Sequence, residues 1–295
     1  MKRAIEFYSE GSKLCGDLYL PEGLSPGETR AAVLLCHGYT GVKDLYLPDN
    51  ARVLNEAGYA VMTFDYKGWG ESEGSRSRLA PYSRVADVQA AMTFLGMQPE
   101  VDENRIGLYG TSYGGATVSW VAAIDLRPQC VVSVVGIGHG ARWMSRVRRV
   151  DEWFDLLERS KSDREQRATT GESQMVERSE ILLPDRQSAE LAAAARRNNP
   201  AAVGTIPMEY VDDTVGFNPE WIVDKIAPRP ILFITSDNDR LVLQEESEQL
   251  YAHAKEPKKL VVLKGYGHYE VYQEPAFTEV MAATLEWFGE HLPAR

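Results

Sequence analysis

Ser112, held in Gly110-Thr111-Ser112-Tyr113-Gly114, is the side chain of this sequence best placed to act as a nucleophile. Arg105 to Tyr109 before it reads as a short buried strand, and Gly115 to Asp125 after it as the start of a helix of small residues. A serine on so sharp a strand-to-helix turn has its Oγ pushed out at the C-terminal edge of a sheet. It also stands at a helix N-terminus, where backbone N–H groups favour developing negative charge. Such a serine needs a base, and the base needs an orienting acid. On an open α/β sheet the expected chain order is serine, acid, histidine. Among five histidines, His268 fits, in the glycine-rich loop Gly265-Tyr266-Gly267-His268-Tyr269 beyond the last strand pattern. His37 precedes the serine, and His253 and His291 lie on amphipathic helices. His139, just beyond an apolar strand pattern, is expected to line a pocket.

The acid should follow the strand at 230–235, where Ser236-Asp237-Asn238-Asp239-Arg240 offers two carboxylates. Asp239 is the expected partner because it stands a few residues beyond the strand end. Asp237 is the alternative, better placed to hold the turn. Acyl transfer also requires donors for an oxyanion. One expected donor is the backbone N–H of Tyr113. The second is that of Tyr39, in His37-Gly38-Tyr39-Thr40-Gly41, with the Tyr39 phenol as a rival and His37 bonded to backbone in a structural turn.

The elements that must position these groups are legible in the apolar pattern. Residues 3–10 and 12–20 form an expected hairpin. Ala31 to Cys36 and Ala60 to Phe64 are continuous apolar runs suited to strands buried on both faces. Helices are expected near Pro48 to Ala57 and over 83–98, where Val85, Val88, Met92 and Leu95 share a face. Strands are predicted at Val131 to Val135, 230–234 and 260–263. A closing helix over 274–291 carries Phe277, Met281, Thr284 and Phe288 on one stripe, flanked by Val280 and Trp287. Strands alternating with helices imply a mostly parallel sheet covered on both sides. Residues 141–215 break the pattern: they are rich in Arg, Glu, Ser and Ala, without strand signal, and contain helical pieces near 142–160 and 187–197. This predicts a core of residues 1–140 and 216–295 with a helical lid inserted at the end of the sheet where ligands bind, a plain extra helical layer being the alternative.

These landmarks resemble, in order, those of the serine α/β-hydrolases: His37-Gly38, the loop Asp65-Tyr66-Lys67-Gly68-Trp69-Gly70-Glu71-Ser72-Glu73-Gly74, the Ser112 elbow, Asp239 and Gly267-His268. The likeness covers nearly everything outside 141–215. The Asp65–Gly74 loop is similar to that of dienelactone hydrolase-like and X-prolyl dipeptidyl peptidase-like proteins. Ser112 stands where dienelactone hydrolases carry cysteine, and the propeller or large C-terminal domain of the related peptidases is not seen, which weighs against peptidase activity. The resemblance implies an esterase that uses no cofactor and no metal, with Ser112, His268 and Asp239 as its triad. An acyltransferase or thioesterase is the alternative, and a non-catalytic binding protein a more remote one.

Composition narrows the setting. A chain of 295 residues with 44% hydrophobic residues suits a packed domain, and a net charge of −11 argues against nucleic-acid or anionic-membrane partners. Its three cysteines are widely spaced and form no metal-ligand pair, and no signal peptide or membrane span is evident, so a cytoplasmic protein is expected. A small-molecule ester is the expected partner, and nothing in the sequence excludes a homodimer. Trp69 either lines the pocket or anchors its loop, and Trp143 on the lid is a further substrate-binding candidate. Arg142 and Arg146, beside Trp143, Trp153 and Phe154, form either a solvated basic face or a site for a substrate carboxylate.

Overall fold

The computed structural model describes residues 1–75, 79–197 and 204–295. Its strands are β1 (Lys2–Ser9), β2 (Ser12–Tyr19), β3 (Arg30–Cys36), β4 (Ala60–Phe64), β5 (Val101–Thr111), β6 (Pro128–Val134), β7 (Met175–Glu177), β8 (Thr205–Pro207), β9 (Ile231–Ser236) and β10 (Lys258–Leu263). Its α-helices are α1 (Leu47–Glu56), α2 (Pro81–Gly96), α3 (Tyr113–Ile124), α4 (Gly140–Arg146), α5 (Val150–Thr170), α6 (Arg178–Ile181), α7 (Arg186–Arg197), α8 (Tyr210–Val215), α9 (Gln244–His253) and α10 (Ala276–His291).

All seven residues of β3 are buried, and the six after Arg30 divide between two cores: Ala32, Leu34 and Cys36 face one, Ala31, Val33 and Leu35 the other. Side chains alternate along a strand, so a strand covered on both faces needs an unbroken apolar run. The first core is closed by α2, α3 and α9 through residues such as Val88, Val121 and Leu250. The second is closed by α1 and α10 through Leu54, Phe277, Met281 and Phe288. The predicted stripe of the last helix is thus its buried face.

Eight strands make one sheet in the order β1-β2-β4-β3-β5-β6-β9-β10. From β4 to β10 the neighbours are parallel, while β2 runs antiparallel to both β1 and β4. The order reverses at β3, which has β4 on one side and β5 on the other. The loops leaving β3 and β5 therefore diverge and open a crevice, the place where an open α/β sheet binds ligands. Those loops carry Tyr39 and Ser112.

The region between β6 and β9 departs from its sequence reading in two ways. The helix expected over 142–160 is two helices, α4 and α5. The break falls where the Glu152 carboxylate accepts the Arg149 N–H at 2.9 Å and caps a new helix start. The segment also holds strands: β7 and β8 pair antiparallel. At three residues each, they are too short for alternation to register in sequence. Residues 198–203 of the expected insertion lie outside the described residues.

Candidate active site

Ser112 has φ 56° and ψ −121°, a conformation that costs a non-glycine residue energy and persists only when its surroundings enforce it. Here the Ser112 N–H is tied to the Val134 carbonyl at 2.8 Å, and the Ser112 carbonyl accepts the Gly115 N–H at 2.9 Å. Backbone crowding explains the flanking glycines. A Cβ on Gly114 would overlap the Cys36 carbonyl, and one on Gly110 would overlap the Gly114 carbonyl. The turn is thus pressed between β3 and its own helix, which leaves Oγ pointing into the crevice.

The structure brings Ser112, His268 and Asp239 together, and all three are buried. Ser112 Oγ lies 3.1 Å from His268 Nε2, and His268 Nδ1 lies 2.6 Å from Asp239 Oδ2. With its proton on Nδ1, the imidazole donates to the carboxylate and presents a lone pair to the hydroxyl. The other Asp239 oxygen, Oδ1, accepts the Leu241 and Val242 N–H groups, each at 2.8 Å. This carboxylate is therefore fixed from both sides. Asp237 faces elsewhere and accepts the Gly265 N–H at 2.7 Å. That bond and Lys264 hold its carboxyl below the usual carboxylate range, as suits a residue that holds the turn.

Across the crevice, neither the Tyr39 nor the Tyr113 backbone N–H has a protein acceptor among the described residues. The Tyr39 ring is buried edge-on against Tyr210, with centroids 5.1 Å apart, and its hydroxyl lacks a hydrogen-bond partner. The loop carrying Tyr39 is held from below by His37, in the backbone-bonded role expected of it, by Asp65 of the landmark loop and by Arg84, which sequence reasoning did not single out. Arg84, fully buried on α2, donates to the Gly38 carbonyl at 3.2 Å and stacks 4.0 Å from the Tyr66 ring. His37 Nδ1 meets the same carbonyl at 3.1 Å. Burial, reinforced by Arg84, keeps this imidazole neutral by lowering its pKa well below the usual histidine range. Asp65 accepts the Lys43 N–H at 2.7 Å and the Glu71 N–H at 3.0 Å, so it joins the loop after β3 to the loop after β4. Burial pushes the Asp65 carboxyl up to about 6.

Ser112 opens on a cavity of about 50 Å³ lined by the Tyr39 loop, Tyr46, Leu241, His268, Tyr269, Tyr272 and, from the segment between β6 and β9, Arg178 and Leu182. None of Trp69, His139 and Trp143 lines it. Trp69 is buried against Tyr210, 6.5 Å between ring centroids. His139 caps α4 by accepting the Arg142 N–H at 3.3 Å. Trp143 turns its indole N–H to the Leu241 carbonyl at 2.7 Å, bracing the turn that orients Asp239. Arg142 and Arg146 are likewise committed to protein partners. Arg142 pairs with Glu246 at 2.8 Å and Glu220 at 2.6 Å, and Arg146 with Glu245 at 3.3 Å. Trp143, Arg142 and Arg146 of α4 are therefore braces between this helix, α9 and the loops around it, and the arginine that reaches the cavity is Arg178. Its burial without a carboxylate is the signal, and that signal exists only in three dimensions.

Residues 27–276 match the family model described as serine aminopeptidase, S33. The chain belongs to this family. It is 31% identical over 261 residues to an Escherichia coli 31.7 kDa protein of the traX-finO intergenic region, covering 88% of this chain and 91% of that one. It is 26% identical over 301 residues to the polyketide transferase claH of Penicillium crustosum, covering 98% and 97%. Among solved structures, the α/β hydrolase GrgF from Penicillium sp. sh18 superposes with a TM-score of 0.83 at 23% identity, covering 99% of each chain. The S33 protein is thus a serine hydrolase with the α/β-hydrolase fold that its landmarks resemble. Among the described residues, no helix is long and apolar enough to cross a membrane.

Proposed function

We propose that this protein cleaves carboxylic esters of small to medium size through an acyl-enzyme on Ser112. The observation that carries the reading is the buried relay from Ser112 Oγ to His268 at 3.1 Å and on to Asp239 at 2.6 Å. In this mechanism His268 takes the serine proton as Oγ attacks the ester carbonyl. Asp239 holds the productive tautomer and stabilises the imidazolium. The unpartnered N–H groups of Tyr39 and Tyr113 receive the oxyanion. His268 then protonates the departing alcohol and later activates the water that releases the acid.

The segment 141–215 acts as a lid in this reading. Support comes from Arg178 and Leu182, which close a cavity of about 50 Å³, space for a few waters at roughly 15 Å³ each. An acyl group beyond the smallest needs that cover to move. The three free cysteines fit a reducing, cytoplasmic compartment. Acyl transfer or thioester cleavage by the same acyl-enzyme is the second reading, favoured by the likeness to a protein named as a polyketide transferase.

The test is hydrolysis of acetyl, butyryl and octanoyl p-nitrophenyl esters by wild type and Ser112→Ala, with the matched thioesters alongside and intact-mass detection of the acylated chain. Turnover and acylation that vanish in the variant support the esterase. A preference for thioesters, or transfer to an added alcohol, supports the second reading. A folded wild type that is never acylated removes both.

A further inference from the structure

We infer that Arg178 is a substrate-binding residue and that the substrates carry a carboxylate on a short tether from the scissile ester; this rests on the esterase reading above. Arg178 opens α6 and is only 7% exposed. Its guanidinium spans the crevice. Nε donates to Thr40 Oγ1 at 2.6 Å, in the loop expected to bind the oxyanion, and Nη2 donates to the Tyr269 hydroxyl at 3.0 Å, next to His268. Both acceptors are neutral hydroxyls. Among the described residues no carboxylate lies within ion-pair distance of Arg178, and Nη1 has no protein acceptor.

Neighbouring arginines show how unusual this is. Arg142, Arg146, Arg149, Arg159, Arg164, Arg167 and Arg186 each pair with an aspartate or glutamate. Arg148, half-buried, is spent on the carbonyls of Met144, Glu180 and Ile181, and Arg84, fully buried and among the described residues also without a carboxylate, is spent on the Gly38 carbonyl and the Tyr66 ring and does not line the cavity. A buried cation is tolerated when a counter-charge meets it. Arg178 lines the same cavity as Ser112 and His268, so the missing counter-charge falls where a substrate would sit. The planar fork, anchored at Nε and one Nη by two hydroxyls, leaves its remaining donors to grip a carboxylate. The smallness of the cavity sets the short tether. Anchored on both walls, the guanidinium also lets the ligand report on closure: an anion that seats there draws together the loops bearing Tyr39 and His268.

The test compares isosteric pairs. On the acyl side these are the monophenyl ester of glutaric acid and its terminal carboxamide. On the alcohol side they are 4-carboxyphenyl acetate and 4-carbamoylphenyl acetate. Wild type should prefer one carboxylate over its carboxamide by about 100-fold in kcat/KM, the scale of a lost charge-assisted pair. The side that shows the preference tells where the carboxylate lies. Arg178→Gln should abolish the preference, bringing the carboxylate ester down to the rate that its carboxamide shows in the same variant, and Arg178→Lys should restore part of it. A readout independent of turnover is protection of Ser112 from a fluorophosphonate label by glutarate, against glutaramide as control. Protection should be seen in wild type and lost in Arg178→Gln. If Arg178→Gln lowers both members of a pair equally, the residue only latches the lid and the inference fails. Labelling of Ser112 with neither preference nor carboxylate-specific protection overturns the inference alone. A folded wild type that takes no label overturns the esterase reading with it.

Discussion

Replacing Asp239 by Asn separates the proposed acid from its neighbour Asp237 and has an outcome that can be worked from the hydrogen bonds. In the native arrangement Oδ1 accepts two backbone N–H groups at 2.8 Å and Oδ2 accepts from His268 at 2.6 Å. An amide can serve only one of these sides with oxygen. If its oxygen stays with Leu241 and Val242, its NH₂ faces Nδ1 and forces the imidazole proton onto Nε2. The nitrogen that should accept the serine proton is then occupied. If the amide flips, the tautomer is correct, but two buried N–H groups lose their acceptor at about 1–3 kcal/mol each. The flipped, productive form is therefore disfavoured by about 2–6 kcal/mol, which is roughly 30-fold to 10⁴-fold in population. Asp239→Asn should lower kcat on p-nitrophenyl acetate within that range while leaving the near-UV circular dichroism spectrum unchanged. Asp237→Asn, which loses only an exposed turn contact, should stay within about threefold of wild type. An Asp239→Asn enzyme that keeps more than about a tenth of the wild-type rate would refute the reasoning, as would an Asp237→Asn enzyme that takes the loss instead.

Three further outcomes follow from the same geometry. Trp143→Phe strips the Leu241 carbonyl of its indole donor; it should cost about 1–3 kcal/mol in urea unfolding and lower kcat more than it raises KM, because that turn also orients Asp239. Phe288→Ala, at a fully buried position, should cost about 3–5 kcal/mol in the same assay with the triad untouched. The Asp65 carboxyl, raised by burial from 3.8 to about 6, holds its proton more tightly when folded than when unfolded. Its ionisation therefore withdraws stability as pH climbs between about 4 and 6, by about 3 kcal/mol in full. Wild-type unfolding free energy minus that of Asp65→Asn should fall by that amount between pH 3.5 and 7, and a difference that rises over this window would contradict the assignment.

The parts of the molecule open to sequence reading are those in which chemistry or burial constrains the backbone locally. Gly110 and Gly114 are dictated by carbonyls that leave no space for a Cβ, so the elbow announces itself as a five-residue pattern. The apolar run of β3 and the stripe on α10 follow from faces that must be covered. Asp239 and Asp237 could be ranked only by their distance from a strand end, and the hydrogen bonds to Leu241, Val242 and Gly265 give that ranking a physical basis. The segment between β6 and β9 has no such local rule. Its three-residue strands carry no readable alternation, and Trp143 and Arg142 look in sequence like ligand-binding residues because an indole or a guanidinium is the same group whether it braces or binds.

What separates the two uses is the partner. Arg142 finds Glu246 and Glu220 on other elements, far away in sequence, and is thereby satisfied. Arg178 finds Thr40 and Tyr269, which anchor it but leave its charge unmatched. Desolvation makes an unmatched buried charge expensive; Arg84 meets that cost with the Gly38 carbonyl and the Tyr66 ring behind the cavity wall, whereas Arg178 lines the cavity, where something outside the chain can supply the counter-charge. In the specificity proposed here the signal is a deficit, a carboxylate that the protein itself does not provide, and a deficit of partners is a property that a string of residues cannot display.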